Sequence, residues 1–183
     1  MKNIFCVFLF LISFNAVAQK YADNSYYLVD SLSIDALVKQ DVKLLDSCLK
    51  VYHASKQDTT RIKTLTFLIE EMVSNDWKKY QFYQYQELQA LLKNNPSIKV
   101  TKALQLDLAG AIGNIGYIYS LQGQVKEALD YFNRSLKIEE EIDNKEGVAS
   151  SLNHIGLIYN NQGKVKEAVD YYSRSLKIRE EIG

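Results

Sequence analysis

AIGNIGYIYSLQGQVKEALDYFNRSLKIEEEID, residues 111–143, returns as SLNHIGLIYNNQGKVKEAVDYYSRSLKIREEIG, residues 151–183. About 20 of about 33 aligned positions are identical at a shift of about 40 residues, which marks a tandem structural unit and not a chance likeness. The strongest matches are Ile115-Gly116-x-Ile118-Tyr119 with Ile155-Gly156-x-Ile158-Tyr159, and Gln122-Gly123-x-Val125-Lys126-Glu127-Ala128 with Gln162-Gly163-x-Val165-Lys166-Glu167-Ala168. Arg134-Ser135-Leu136-Lys137-Ile138 then recurs as Arg174-Ser175-Leu176-Lys177-Ile178. Gly123 and Gly163 are placed to stop one helix and turn the chain into a second.

This pattern resembles the tetratricopeptide repeat, a pair of antiparallel helices A and B. By that resemblance Gly116 and Gly156 are the helix-A glycines that let two helices approach closely, and Ala128 and Ala168 are the small helix-B residues facing them. Tyr119 and Tyr159, with Phe132 and Tyr172, match the large residues filling the space beside that contact, and Ser135 and Ser175 match the second small position. Two features depart from the family: Glu140 and Glu180 stand where it has a helix-ending proline, and Ile112 and Leu152 replace its early tryptophan. Without the proline, helix B can run to about Ile142, giving a period nearer 40 than the usual 34 or so. Longer repeats of this kind are similar to those of kinesin light chains and of the ectodomains of bacterial signalling proteins. The resemblance implies an all-α, right-handed superhelical solenoid of antiparallel helix pairs, with repeats over 96–144 and 145–183.

Upstream the likeness fades but the helices continue. Asp58 is the expected N-cap for a helix with an apolar face of Ile62, Leu65, Ile69, Met72 and Val73, and Asp76 that of a second helix carrying Trp77, Tyr80, Leu88, Leu91 and Leu92. Together they read as a divergent helix pair over 58–95. A helix from Ser33 to about Ala54, with the stripe Ile34, Val38, Val42, Leu45, Leu49 and Tyr52, serves as an N-terminal cap within 19–57. Pro96 restarts the chain at a first helical position, and that helix runs to about Leu121. The count is about seven helices and no strand.

Residues 1–18 pose a different physical problem. Lys2 precedes an apolar run from Ile4 to Phe14, and Ala16-Val17-Ala18 completes a small-residue cleavage pattern, as in a secretory signal peptide. At about 11 residues the run is too short for a membrane span, which needs about 20. The expected product is an exported chain, periplasmic or secreted, beginning at Gln19. Of its two cysteines it would keep Cys48 alone, which cannot form an internal bridge and reads as a small buried hydrophobe.

Lys+Arg and Asp+Glu each number 22, so no global field draws in nucleic acid. One proline and eight glycines among 183 residues leave long stretches free of helix breakers. No catalytic arrangement, cofactor loop or metal set stands out, and the chain reads as no enzyme. His53 and His154 lie about a hundred residues apart. Glu139-Glu140-Glu141 reads as a solvated helix face, because consecutive helical residues diverge. Asn133-Arg134-Ser135 fits a glycosylation triplet inside a helix, where it is a coincidence of packing residues. Among 13 tyrosines, the group Phe82, Tyr83 and Tyr85 spans too much of a helical turn for all to face inward, so at least one is expected exposed or covered by a partner.

What remains is a surface. The resemblance places Gly113, Tyr117, Ser120 and Leu121, then Asn153, Leu157, Asn160 and Asn161, along a concave groove lined by helix A, with Asn114 and His154 at its edge. Asparagine amides can pair with a peptide backbone, and Tyr117 and Leu157 offer apolar contact. The expected partner is a protein or peptide. The last helix, about Val165 to Ile182, repeats the apolar face of its predecessor with nothing in the sequence to cover it, which points to self-association or to the alternative that this is the sensory ectodomain of a longer signalling protein.

Overall fold

The computed structural model describes residues 24–94 and 98–183. The signal-peptide reading of 1–18 and the restart at Pro96 lie outside them. A one-turn helix α1 (Asn24–Tyr27) and a 3-10 turn (Ile34–Ala36) precede α2 (Lys39–Ala54), α3 (Asp58–Glu71), α4 (Trp77–Asn94), α5 (Ile98–Leu121), α6 (Val125–Glu141), α7 (Lys145–Asn161) and α8 (Val165–Ile182). From α2 onward each helix packs on its chain neighbour, and α5 also touches α7. That skip contact is what stacked hairpins produce, and the described residues form a helical solenoid with seven helices longer than one turn and no strand.

The turns repeat as closely as the residues do. Gly123 and Gly163 take φ of 72° and 73°, a left-handed conformation that costs a side-chain-bearing residue more. The N–H of Gln124 donates to Tyr119 O at 2.9 Å, and that of Lys164 to Tyr159 O at 3.0 Å, closing the helix end in a Schellman-type turn. Between α6 and α7 the same closure, Asn144 N–H to Glu139 O at 2.9 Å, is made with Asp143 at φ 55°, one of the few residue types tolerant of that region.

Packing within the repeats gives the matched residues physical roles. A side chain on Gly116 would press on the ring of the buried Phe132, and one on Gly156 on the ring of Tyr172, so each glycine faces the large helix-B residue. Ser135 and Ser175 donate to Ala109 O at 2.8 Å and Ala149 O at 2.7 Å, two buried braces one repeat apart. Tyr119 stacks on Tyr131 at 5.2 Å and Tyr159 on Tyr171 at 5.4 Å. The guanidinium groups of Arg134 and Arg174 lie over Tyr131 and Tyr171, which explains the repeated arginine.

The N-terminal half differs from expectation at several places. Leu37 and Val38 are extended, so α2 begins at Lys39 and not at Ser33, and Val38 is exposed. The reason lies at Asp41, buried in the first turn of α2, whose carboxylate accepts the N–H groups of Val73 and Ser74 at 3.0 and 2.8 Å beyond the end of α3. Asp58 is the first residue of α3, with Gln57 at the cap position and no side-chain capping bond. Asp76 immediately precedes α4 and pairs with Lys79 at 2.8 Å. On α3, Ile62, Leu65 and Ile69 are buried, as is Met72 just beyond it, but Val73 is exposed and the buried Leu68 completes the face. Cys48 is free and buried in a core with Leu49, Tyr52, Leu65, Met72 and Tyr80.

Phe82, Tyr83 and Tyr85 are all half-buried, and none is exposed. Each finds a partner within the chain: Phe82 packs edge-on to Tyr119, the Tyr83 hydroxyl meets that of Tyr52 at 3.0 Å, and the Tyr85 hydroxyl accepts from Arg134 at 2.6 Å. The long reach of phenol and guanidinium groups satisfies positions that helical angle alone would leave outside.

Candidate binding groove

Helices α5 and α7 stand side by side, with α6 behind them. Between them lies a cleft of about 320 Å³, near the lower end of ligand-holding cavities, roughly 300–1,000 Å³. Its α5 wall includes Gly113, Asn114 and Tyr117, its α7 wall Gly147, Ser150, Ser151 and His154, and its floor Phe132, Ser135 and Glu139 of α6. Small residues keep it open. Gly110, Gly113 and Gly147 carry no side chain into it, and a Cβ on Gly147 would overlap the Glu139 carboxyl group where it now sits and force it to move.

The walls are set by buried interactions. His154 stacks on Phe132 at 4.9 Å with the rings nearly parallel, and lies 6.4 Å from the Tyr117 ring. Burial pushes its imidazole below the ordinary histidine value, so the ring is neutral at neutral pH. Asn114 donates to Gln81 Oε1 at 2.9 Å, Gln81 to Gln84 Oε1 at 2.9 Å, and Gln84 to Thr66 Oγ1 at 2.7 Å. This amide relay runs from the cleft through α4 to α3 and fixes the Asn114 side chain, with both glutamines buried.

Of the residues assigned to the groove by resemblance, Gly113, Asn114, Tyr117 and His154 line this cleft. The other six do not. Ser120 is half-buried and Leu121 exposed near the end of α5, while Asn153, Leu157, Asn160 and Asn161 form an exposed stripe along α7 at spacings of three and four residues. The assigned residues therefore fall into a cleft set between α5 and α7, and a flanking set on open helix surface.

Sequence reasoning missed Glu139. Instead of belonging to a solvated face, it is buried, while its neighbours Glu140 and Glu141 are exposed. Asn144 Nδ2 donates to its Oε2 at 2.6 Å. Burial pushes the Glu139 carboxyl above its ordinary range, against the opposing pull of the Asn144 amide. The available signal was a break in the repeat: Glu140 and Glu141 recur as Glu180 and Glu181, but Glu139 is replaced by Arg179. His53, the other histidine, is remote from the cleft and hydrogen-bonded through Nε2 to Tyr26 O at 2.7 Å.

Among the described residues no group of three or more His, Cys, Asp or Glu could hold a metal ion, and no helix is long and apolar enough to cross a membrane. Residues 107–181 match a family model described as tetratricopeptide repeat. Among curated proteins, none matches the chain.

Proposed function

We propose, from the premise that residues 107–181 are tetratricopeptide repeats, that this protein is an exported scaffold holding a protein or peptide partner along the α5–α7 groove. Tetratricopeptide repeats serve protein–protein interaction, and a binding role without catalysis agrees with the chemistry in the cleft. The observation that carries the reading is the cleft itself, open between two helix-A walls and provided with both amide and aromatic contacts. Asn114 is held in place by the buried relay behind it, so little side-chain entropy remains to be lost when it pairs with a peptide. Export rests on the leader-like residues 1–18, and mass spectrometry of the purified protein should find Gln19 at its N-terminus; a retained Met1 would contradict export by this route.

The test of groove binding is affinity capture from the exported fraction with the wild-type chain and with Tyr117→Ala/Asn153→Ala/Leu157→Ala, both checked for helicity by circular dichroism. Loss of the captured partner from the folded variant supports the reading, and undiminished capture refutes it.

A second reading draws on α8. Val165, Val169, Leu176 and Ile182 are exposed, whereas Val125, Leu129 and Leu136, at the equivalent places on α6, pack around a core that includes Ile155 and Ile158 of α7. A further helix over α8 would bury the same surface, supplied by a second copy or in a sensory-ectodomain arrangement. Light scattering over a range of concentrations separates these: association supports a second copy, and a strict monomer removes it.

A further inference from the structure

Glu139 is the one charged residue among those lining the cleft. It is 5% exposed, and its carboxylate has an amide donor on Oε2 but, among the described residues, no lysine or arginine within ion-pair distance. The lysines on either side of it in sequence are engaged elsewhere, Lys137 with Glu141 at 3.9 Å and Lys145 with Glu181 at 3.4 Å, and Arg179, at the equivalent position of the next repeat, pairs with Glu146 at 3.0 Å. A buried carboxylate without a counter-charge is costly, yet this one sits where the repeat next door carries Arg179 and where Gly147 clears the space for it.

We propose that the floor of the α5–α7 cleft is a subsite for the cationic side chain of an arginine or lysine in the bound peptide, with Glu139 as its counter-charge. The proposal rests on the groove reading above and specifies its partner's chemistry. The geometry suits such a side chain in three respects. The stem of arginine or lysine is apolar, and the Phe132–His154 stack offers it a flat apolar wall. The Tyr117 ring at the mouth can lie against a guanidinium face, a favourable cation–π contact. The histidine of the wall is pushed toward its neutral form by burial, so it adds no positive charge to repel the ligand. Ser150 and Ser151 bring hydroxyl oxygens to the same lining, able to accept the remaining N–H donors of the cation.

The probe is acetyl-Gly-Arg-Gly-amide, titrated into ¹⁵N-labelled protein and compared with the citrulline analogue, which has nearly the same shape and no charge. The proposal expects saturable amide shifts at Gly147, Ser151 and the Asn144 side chain, with the arginine peptide binding roughly tenfold or more tighter than the citrulline peptide. Glu139→Gln, which keeps an oxygen for Asn144, should abolish that preference. Equal binding of the two peptides to the unaltered protein would overturn the proposal without recourse to any variant, as would a preference that survives in Glu139→Gln. Failure here is distinguishable from failure of the groove reading. If the captured partner is lost with the Tyr117/Asn153/Leu157 variant but fully retained by Glu139→Gln, the groove stands and the cation subsite falls.

Discussion

Gly156→Ala tests whether the close approach of helices A and B sets the geometry of the repeats. A Cβ built on Gly156 would lie 2.9 Å from Cδ1 and Cε1 of Tyr172 and 3.3 Å from Cβ of Tyr171. The ring could swing aside, because Tyr172 is half-buried, but the Tyr171 Cβ is fixed to the α8 backbone and can yield only if the helices part. Overpacking of this kind costs about 1–3 kcal/mol, while replacing glycine by alanine inside a helix gains about 1 kcal/mol. Gly110→Ala supplies the control: Gly110 is also within a helix, yet a Cβ there meets nothing within 4 Å. The propensity gain is common to both variants and cancels in the comparison. The two should differ by about 1–3 kcal/mol, or roughly 2–12 °C in Tm for a domain of this size, with Gly110→Ala the more stable. Thermal unfolding followed by circular dichroism at 222 nm measures the difference. Equal or reversed midpoints would refute the reasoning that the α7–α8 contact is too tight for a side chain.

The remaining predictions concern buried polar groups. Burial raises the Asp41 carboxyl, but the hydrogen bonds from Val73 and Ser74 outweigh it and hold the pKa below the usual range. Its stabilising contribution is therefore present above the unfolded-state value, about 3.9, and is lost as pH falls through the lower folded value. Asp41→Asn should cost about 1.5–3 kcal/mol at neutral pH and flatten the acid end of a denaturation-versus-pH profile; an unaltered profile counts against the capping role. Glu139 carries the opposite sign, since its raised pKa makes the folded state less stable as pH rises from the ordinary carboxylate value through the folded one. Glu139→Gln should remove that decline and raise the Tm at neutral pH, and a lower Tm would show that the ionised carboxylate is favoured where it sits. Ser175→Ala removes the donor to Ala149 O and should lower stability by about 0.5–1.5 kcal/mol, read as a shifted denaturation midpoint with an unchanged slope.

How legible this was depended on the range of the interactions. Helix pairs, their turns and the packing residues were readable because they repeat at a fixed shift, and because Gly123 and Gly163 occupy a backbone region that favours glycine. The bounds of α8, Val165–Ile182, follow from that register. The start of α2 was not readable, because Asp41 serves the α3–α4 turn about 32 residues away, a contact with no local signature. The same holds for Gln81 and Gln84, polar residues whose burial becomes tolerable only once Thr66 and Asn114 arrive from other helices. In the groove, the resemblance to the repeat family pointed to the exposed stripe of α7 but did not separate Gly113, Asn114, Tyr117 and His154 as one cleft, which requires the lateral position of α5 against α7. Glu139 was hidden by its company: beside two exposed glutamates it reads as surface, and only the packing of Gly147 reveals that it points inward.

Site-specific photocrosslinking tests the central claim most directly. With benzoylphenylalanine placed at Tyr117 in the cleft, and separately at the exposed Phe67 on α3, irradiation of the protein with its captured partner should give a crosslinked adduct from position 117 and none from position 67. An adduct from 67 alone, or equal yields from both, would contradict a partner held between α5 and α7.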